Sequence, residues 1–253
     1  MKSTERHKLK QNEFARTVAR MQERLRAQSG TLTKVLVAIV LVLVAMAVFG
    51  WWRGSREADA NTLLAAALAT YETPVVPPAP PAPGSPPPLP QPGTFQNDQQ
   101  RFDASLPQFL EVADAHPGSQ AGITARFHAA SILAAQGRHS EAEAQYRQVI
   151  DRAGASIYGR TARLGLAGSL VAQQQYDEAI EIYTRLRDEG STLPVEGVLM
   201  QLGRASARAG RHEEAVRAFT RVVEEFPLSP YAAEARRELE EVKRAAPAAS
   251  AGN

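Results

Sequence analysis

Two histidines stand in almost the same setting. Gly137 opens the stretch GRHSEAEAQY and Gly210 opens GRHEEAVRAF, so His139 and His212 are each followed closely by glutamate. An imidazole beside a carboxylate is half of a metal site, or a general base with its orienting partner. A third copy decides between that chemistry and a structural role. From Gln174 the chain reads QQYDEAIEIY, with Tyr176 where the other copies have histidine. A phenol cannot replace an imidazole as ligand or base near neutral pH, whereas a residue that only fills a turn can be exchanged. His139 and His212 are therefore structural positions. His7, His116 and His128 share no motif that would make them ligands.

No other chemistry competes. The 253 residues include no cysteine, which excludes disulfides, thiolate metal sites and cysteine nucleophiles. There is no phosphate loop, no G-x-S-x-G and no H-E-x-x-H. Acidic pairs such as Glu213-Glu214 and Glu224-Glu225 fit solvated helix faces. No catalytic residue, metal ligand or cofactor site is expected.

The elements that carry the decapeptides repeat. Glu178-Ala179 matches Glu141-Ala142 and Glu214-Ala215, and Tyr183 matches Tyr146 and Phe219. The matched alanines are 37 and 36 residues apart. Such a period predicts stacked helical hairpins. A small residue at 142, 179 and 215 lets two helix backbones approach, and the aromatic residue four positions on lies on the same face. One hairpin cannot bury its own apolar stripe, so neighbours must stack.

These residues resemble the tetratricopeptide repeat (TPR) family. The last copy carries Leu202-Gly203, Gly210, His212, Ala215, Phe219, Val222 and Pro227. The first carries Ala129-Ala130, Gly137, His139, Ala142, Tyr146 and Val149. The middle one carries Leu166-Ala167, Tyr176, Ala179, Tyr183 and Leu186, with Gln174 in place of glycine. The resemblance implies an all-α fold, a right-handed superhelical stack of hairpins. An earlier repeat is expected from Phe102, Ser105, Phe109, Val112 and Pro117. Its first helix is expected in ADANTLLAAALATY from Ala58, which would make the proline-rich stretch an insertion in that hairpin; the alternative is a spacer between anchor and domain. Ser229-Pro230 predicts the start of a capping helix, YAAEARRELEEVKRA. The family binds through the concave surface lined by first helices. Carried over by position, that surface is Phe127, Ser131 and Ala134, then Leu164, Gly168 and Val171, then Met200, Arg204 and Ala207. An unstructured apolar polypeptide segment is the implied ligand.

Ahead of the repeats lies a different kind of sequence. Residues 1–34 hold nine Lys or Arg against three Glu, a net charge of +6, while the rest carries −4. Basic charge confined to a tail does not suit a nucleic-acid-binding domain. Next comes VLVAIVLVLVAMAVFGWW, residues 35–52, with no charge. A helix of that length spans about 27 Å, close to the hydrocarbon core of a bilayer. Trp51 and Trp52 suit the interface. The positive flank stays in the cytoplasm, so the N-terminus is expected there and the repeats beyond the membrane. Phe14, Val18, Met21 and Leu25 recur at helical spacing in the tail, as in a helix resting on anionic headgroups or docking a partner. Residues 73–93 are more than half proline, which predicts an extended spacer.

The expected organisation is a basic cytoplasmic tail (1–34), a transmembrane helix (35–52) and a helix leading out of the membrane (53–72). A proline-rich segment (73–93), a TPR domain with its capping helix (94–246) and a disordered tail (247–253) follow. As a whole the chain resembles the YfgM-type ancillary subunits of the Sec translocon, single-pass proteins of the bacterial inner membrane with periplasmic repeats. That resemblance implies protein partners: translocon subunits, periplasmic chaperones or secreted clients, with membrane lipid around the anchor and no nucleic acid. The stretch EEFPLSPYAAEARRELEEV also resembles repeat ends of CpoB-type division coordinators, the alternative role.

Overall fold

The computed structural model describes residues 29–78, 91–189 and 193–245. The basic tail with Phe14, Val18, Met21 and Leu25, most of the proline run, and the segment after Pro247 lie outside them. The chain divides into two units, residues 1–56 and 57–253.

In order, the helices among the described residues are α1 (Ser29–Tyr71), α2 (Asp98–Ala115), α3 (Gln120–Ala135), α4 (His139–Ala153), α5 (Ile157–Ala172), α6 (Tyr176–Asp188), α7 (Val195–Arg208), α8 (His212–Glu225) and α9 (Ala232–Ala245). In the first unit, the part of α1 from Val35 to Phe49 exposes every large apolar side chain, as does Trp51. By length and composition, α1 is long and apolar enough to cross a membrane.

The second unit begins inside α1. From Ala60 on, α1 buries Ala60 and Ala67 and sets Leu64, Leu68 and Tyr71 against the core. It is the first helix of a hairpin completed by α2. The proline-rich stretch is thus an insertion within that hairpin. Its base is closed where Val75 pairs with Phe95: the Phe95 amide donates to the Pro74 carbonyl at 3.0 Å, and the Val76 amide to the Phe95 carbonyl at 2.8 Å. Three more hairpins follow, α3–α4, α5–α6 and α7–α8, and α9 covers the last. From α2 on, each helix packs mainly on its neighbours in sequence, as in a stack of repeats.

Periodicity explains the packing. In α8 the buried residues are Ala215, Ala218, Phe219 and Val222, and in α9 Ala232, Ala235, Leu239 and Val242. Steps of three and four put each set on one helix face. Polar caps set where helices begin. Asn97, Ser119 and Ser156 accept from the amides of Gln100, Gly122 and Gly159, the first amides that lack an intrahelical partner.

The three decapeptides make the same turn. Gly137, Gln174 and Gly210 have φ of 75°, 63° and 74°. The amides of Arg138, Gln175 and Arg211 reach back to the carbonyls of Leu133, Leu170 and Ser206 at 2.9, 2.9 and 2.8 Å. This left-handed helix ending favours glycine, because a Cβ meets the backbone there. Gln174 bears that strain. Gln174→Gly is expected to stabilise the domain by about 1 kcal/mol, read as a higher urea midpoint at unchanged slope. A lower midpoint would show that the Gln174 side chain supplies a compensating contact.

Candidate peptide-binding surface

The first helices of the hairpins, α3, α5 and α7, carry the positions expected to bind. Phe127, Ala134, Leu164 and Val171 are half-buried, each leaving an apolar edge at the surface. Ser131 donates to the Phe127 carbonyl at 3.0 Å and lies 3.2 Å from the Tyr146 hydroxyl. Gly168 is exposed, and Ala207 is half-buried. Two positions offer a ligand little. Met200 is fully buried, in a cluster with Leu199, Phe219 and Leu239. Arg204 is held by α9: its guanidinium donates to Glu238 at 2.6 and 2.7 Å and pairs with Glu234 at 2.7 Å. These carboxylates hold its pKa above the ordinary arginine value, Glu238 contributing most. The one cation expected in the groove is therefore neutralised within the chain.

The structural positions of the repeats are mostly buried. Ala142, Ala179 and Ala215 are fully buried. Tyr146, Tyr183 and Phe219 follow on the same faces, also buried. Leu202 and Gly203 are buried in α7, and Pro227 is exposed in the α8–α9 turn. His139, Tyr176 and His212 each open a second helix and are half-buried. Among the described residues, no group of three or more His, Asp or Glu is placed to hold a metal ion.

An aromatic series joins the first hairpins. Tyr71 stacks on Phe102 at 6.2 Å, His128 stacks on Phe109 at 5.1 Å, and Phe127 meets Tyr146 and Tyr158 edge-on at 6.1 and 6.0 Å. His128 carries no sequence motif, and only its place one residue after Phe127 hinted at this role. Burial among the rings lowers its pKa below 6.5, while the Glu72 carboxylate opposes the shift. The unfolded chain therefore takes up a proton at higher pH than the fold does. The stabilisation is complete above pH 6.5 and is lost as pH falls through and below that value. His128→Phe is expected to flatten the dependence of melting temperature on pH in this window. An unchanged slope would show that His128 does not set it.

A separate cleft of 430 Å³ opens between α4, α5 and α6. Its floor is Ile150, Leu166 and Ile182. Its rim is largely self-neutralised: Arg147 pairs with Glu178 at 2.7 Å, Arg163 with Glu189 at 3.1 Å, and Arg185 with Glu181.

Residues 28–227 match the tetratricopeptide repeat-like domain family. The chain belongs to that family. The match begins with α1, so it takes in the apolar stretch and the insertion as well as the repeats. TPR proteins are non-catalytic scaffolds that bind other proteins, and this TPR chain is one of them. Among solved structures it is similar to nearly identical TPR-like repeats from Podosopora anserina described as a kinesin light chain. The identity is 18%, covering 58% of this chain and 80% of that one, with a TM-score of 0.52. A single-substitution form of the same repeats matches at 19% identity, 58% and 79% coverage and a TM-score of 0.52. At such identities the likeness concerns the fold alone. No curated protein matches the chain.

Proposed function

We propose that this TPR protein is a single-pass anchored scaffold of the bacterial inner membrane. Its N-terminus is cytoplasmic, and its repeats bind polypeptides on the periplasmic side. Within that role it acts as an ancillary translocon subunit of the YfgM type, with translocon subunits, periplasmic chaperones or secreted clients as partners. The observation that carries the proposal is α1. From Val35 to Val48 every large apolar side chain of α1 is exposed, and the same helix goes on to open the repeat stack. A contiguous exposed apolar surface of that kind requires lipid or a partner, and the +6 tail before it favours the cytoplasm.

Crosslinking in native membranes tests the role. Recovery of translocon subunits or secreted chains supports it, and capture should weaken when Phe127 and Leu164 are both replaced by serine. Recovery of division or envelope-constriction proteins alone would replace it with the coordinator role. Orientation has its own test in this cysteine-free chain. With the outer envelope permeabilised, an impermeant maleimide should label Ser250→Cys and spare Ser3→Cys; the reverse pattern would overturn the topology.

A further inference from the structure

The stacked hairpins allow one position to be compared three times. Tyr146, Tyr183 and Phe219 occupy the same place in the second helices; Ser131, Gly168 and Arg204 hold the matched place in the first helices. In the first copy the tyrosine hydroxyl is satisfied within the chain, 3.2 Å from Ser131 Oγ. In the last copy there is no hydroxyl, and Arg204 turns to α9. The middle copy differs from both. Tyr183 is only 2% exposed, and no described residue hydrogen-bonds its hydroxyl. That hydroxyl lies 4.0 Å from where a Cβ on Gly168 would stand, and apart from Gly168's chain neighbours and its own helix backbone no other atom is as near to that point. Gly168 itself is exposed. Ser169 Oγ and Ser206 Oγ are unpartnered and sealed from solvent; the Tyr183 hydroxyl is not among such sealed atoms. The missing side chain leaves a notch above it.

We infer that Tyr183 Oη, under the bare backbone of Gly168, is a hydrogen-bond anchor for a backbone carbonyl of an extended peptide crossing α5. The inference rests on the peptide-binding role proposed above and gives it a specific contact. Burial raises the phenol pKa to about 12, against a smaller opposing effect of Arg208, so the group is a protonated donor at any working pH. A glycine in an exposed helix interior weakens the helix, but it admits a ligand backbone where a side chain would hold it off. Leu164 and Val171 lie four residues before and three after Gly168, on the same helix face, and give the peptide apolar walls. Arg208 acts on the same hydroxyl, so a peptide carboxylate is the competing acceptor that the test must separate from a backbone carbonyl.

The test uses the full chain in detergent and a labelled, end-blocked uncharged peptide, acetyl-Ala-Leu-Ala-Val-Ala-Leu-Ala-amide, followed by fluorescence anisotropy. Tyr183→Phe is expected to weaken binding about three- to tenfold, the range for one net hydrogen bond, with no fall in melting temperature. Gly168→Ser copies the first repeat. It gives the hydroxyl an internal partner and fills the notch, so it should weaken binding at least as much while keeping or raising the melting temperature. Binding lost in Phe127→Ser/Leu164→Ser but unchanged in both other variants would overturn this anchor and leave the scaffold role standing. Binding of the same peptide only with a free C-terminal carboxylate would overturn the backbone-carbonyl assignment. No binding of either peptide by the parent chain would overturn the anchor and the apolar groove together.

Discussion

Phe219→Ala is expected to destabilise the repeat domain by about 3–5 kcal/mol, the range for emptying a fully buried phenylalanine site. The ring is 0% exposed and sits against Gly203. A Cβ added at Gly203 would come within 2.6 Å of the ring edge, so Gly203→Ala alone is expected to cost about 1–3 kcal/mol by overpacking. The two changes share one space. In the double variant the new methyl group enters the cavity left by the ring, and the combined loss should fall short of the sum by about 1 kcal/mol or more. Urea unfolding of the four proteins of the cycle measures this. Strict additivity would mean that the α7–α8 approach is not set by this contact.

Arg126→Ala is the second large effect. Arg126 is 4% exposed within α3. Its guanidinium donates to the Ala113 carbonyl at 2.8 Å, to Asp114 at 2.6 Å and to Gln145 at 2.6 Å. One side chain thus ties α2, α3 and α4 together and places a cation at the C-terminal end of α2. Asp114 is mostly exposed, so its ionic share is small. The loss comes from leaving a buried carbonyl without its donor and from the lost packing of a long side chain. About 2–3 kcal/mol is expected. Arg126→Lys should recover only part, since an ammonium cannot reproduce the forked geometry. A loss under about 0.5 kcal/mol would show that water replaces the guanidinium without penalty.

The sequence announced the stack through residues whose type is forced by geometry. Alanine at 142, 179 and 215, and the aromatic four residues on, announce a close helix approach that can be met in few other ways. Glycine at 137 and 210 does the same for the turn. The first hairpin carries the same kind of pair at Ser105 and Phe109, but spacing alone left open whether the proline-rich stretch divides its two helices or precedes the domain.

What could not be read were contacts made across the stack by residues without a repeating type. Gly165 is one: a Cβ there would overlap the Tyr146 ring of the preceding hairpin, yet the first copy has His128 at that position and the last has Gln201. Met200 is another. Its position in the family pattern faces the groove, but α9 packs across the last hairpin and takes it into the core. Arg204 is neutralised by the same helix. Spacing tells which face a residue lies on. It does not tell what a terminal helix will lay over that face.

That terminal helix also divides the interior. Leu199, Met200, Phe219, Val222, Leu239 and Val242 cluster separately from the long core that runs from Ala67 to Ala218. Apolar contacts that do not merge with the main core give a segment its own opening free energy. The C-terminal portion is thus expected to open as a unit of its own, held to the rest through Val198, Leu202, Ala205 and Ala218, which belong to the main core. Amide exchange should resolve two tiers of protection along the chain, the slower among α3–α6 and the faster among α8 and α9. The last hairpin is then where the scaffold yields first, under heat, under a pulling load or to a partner that competes for its cap.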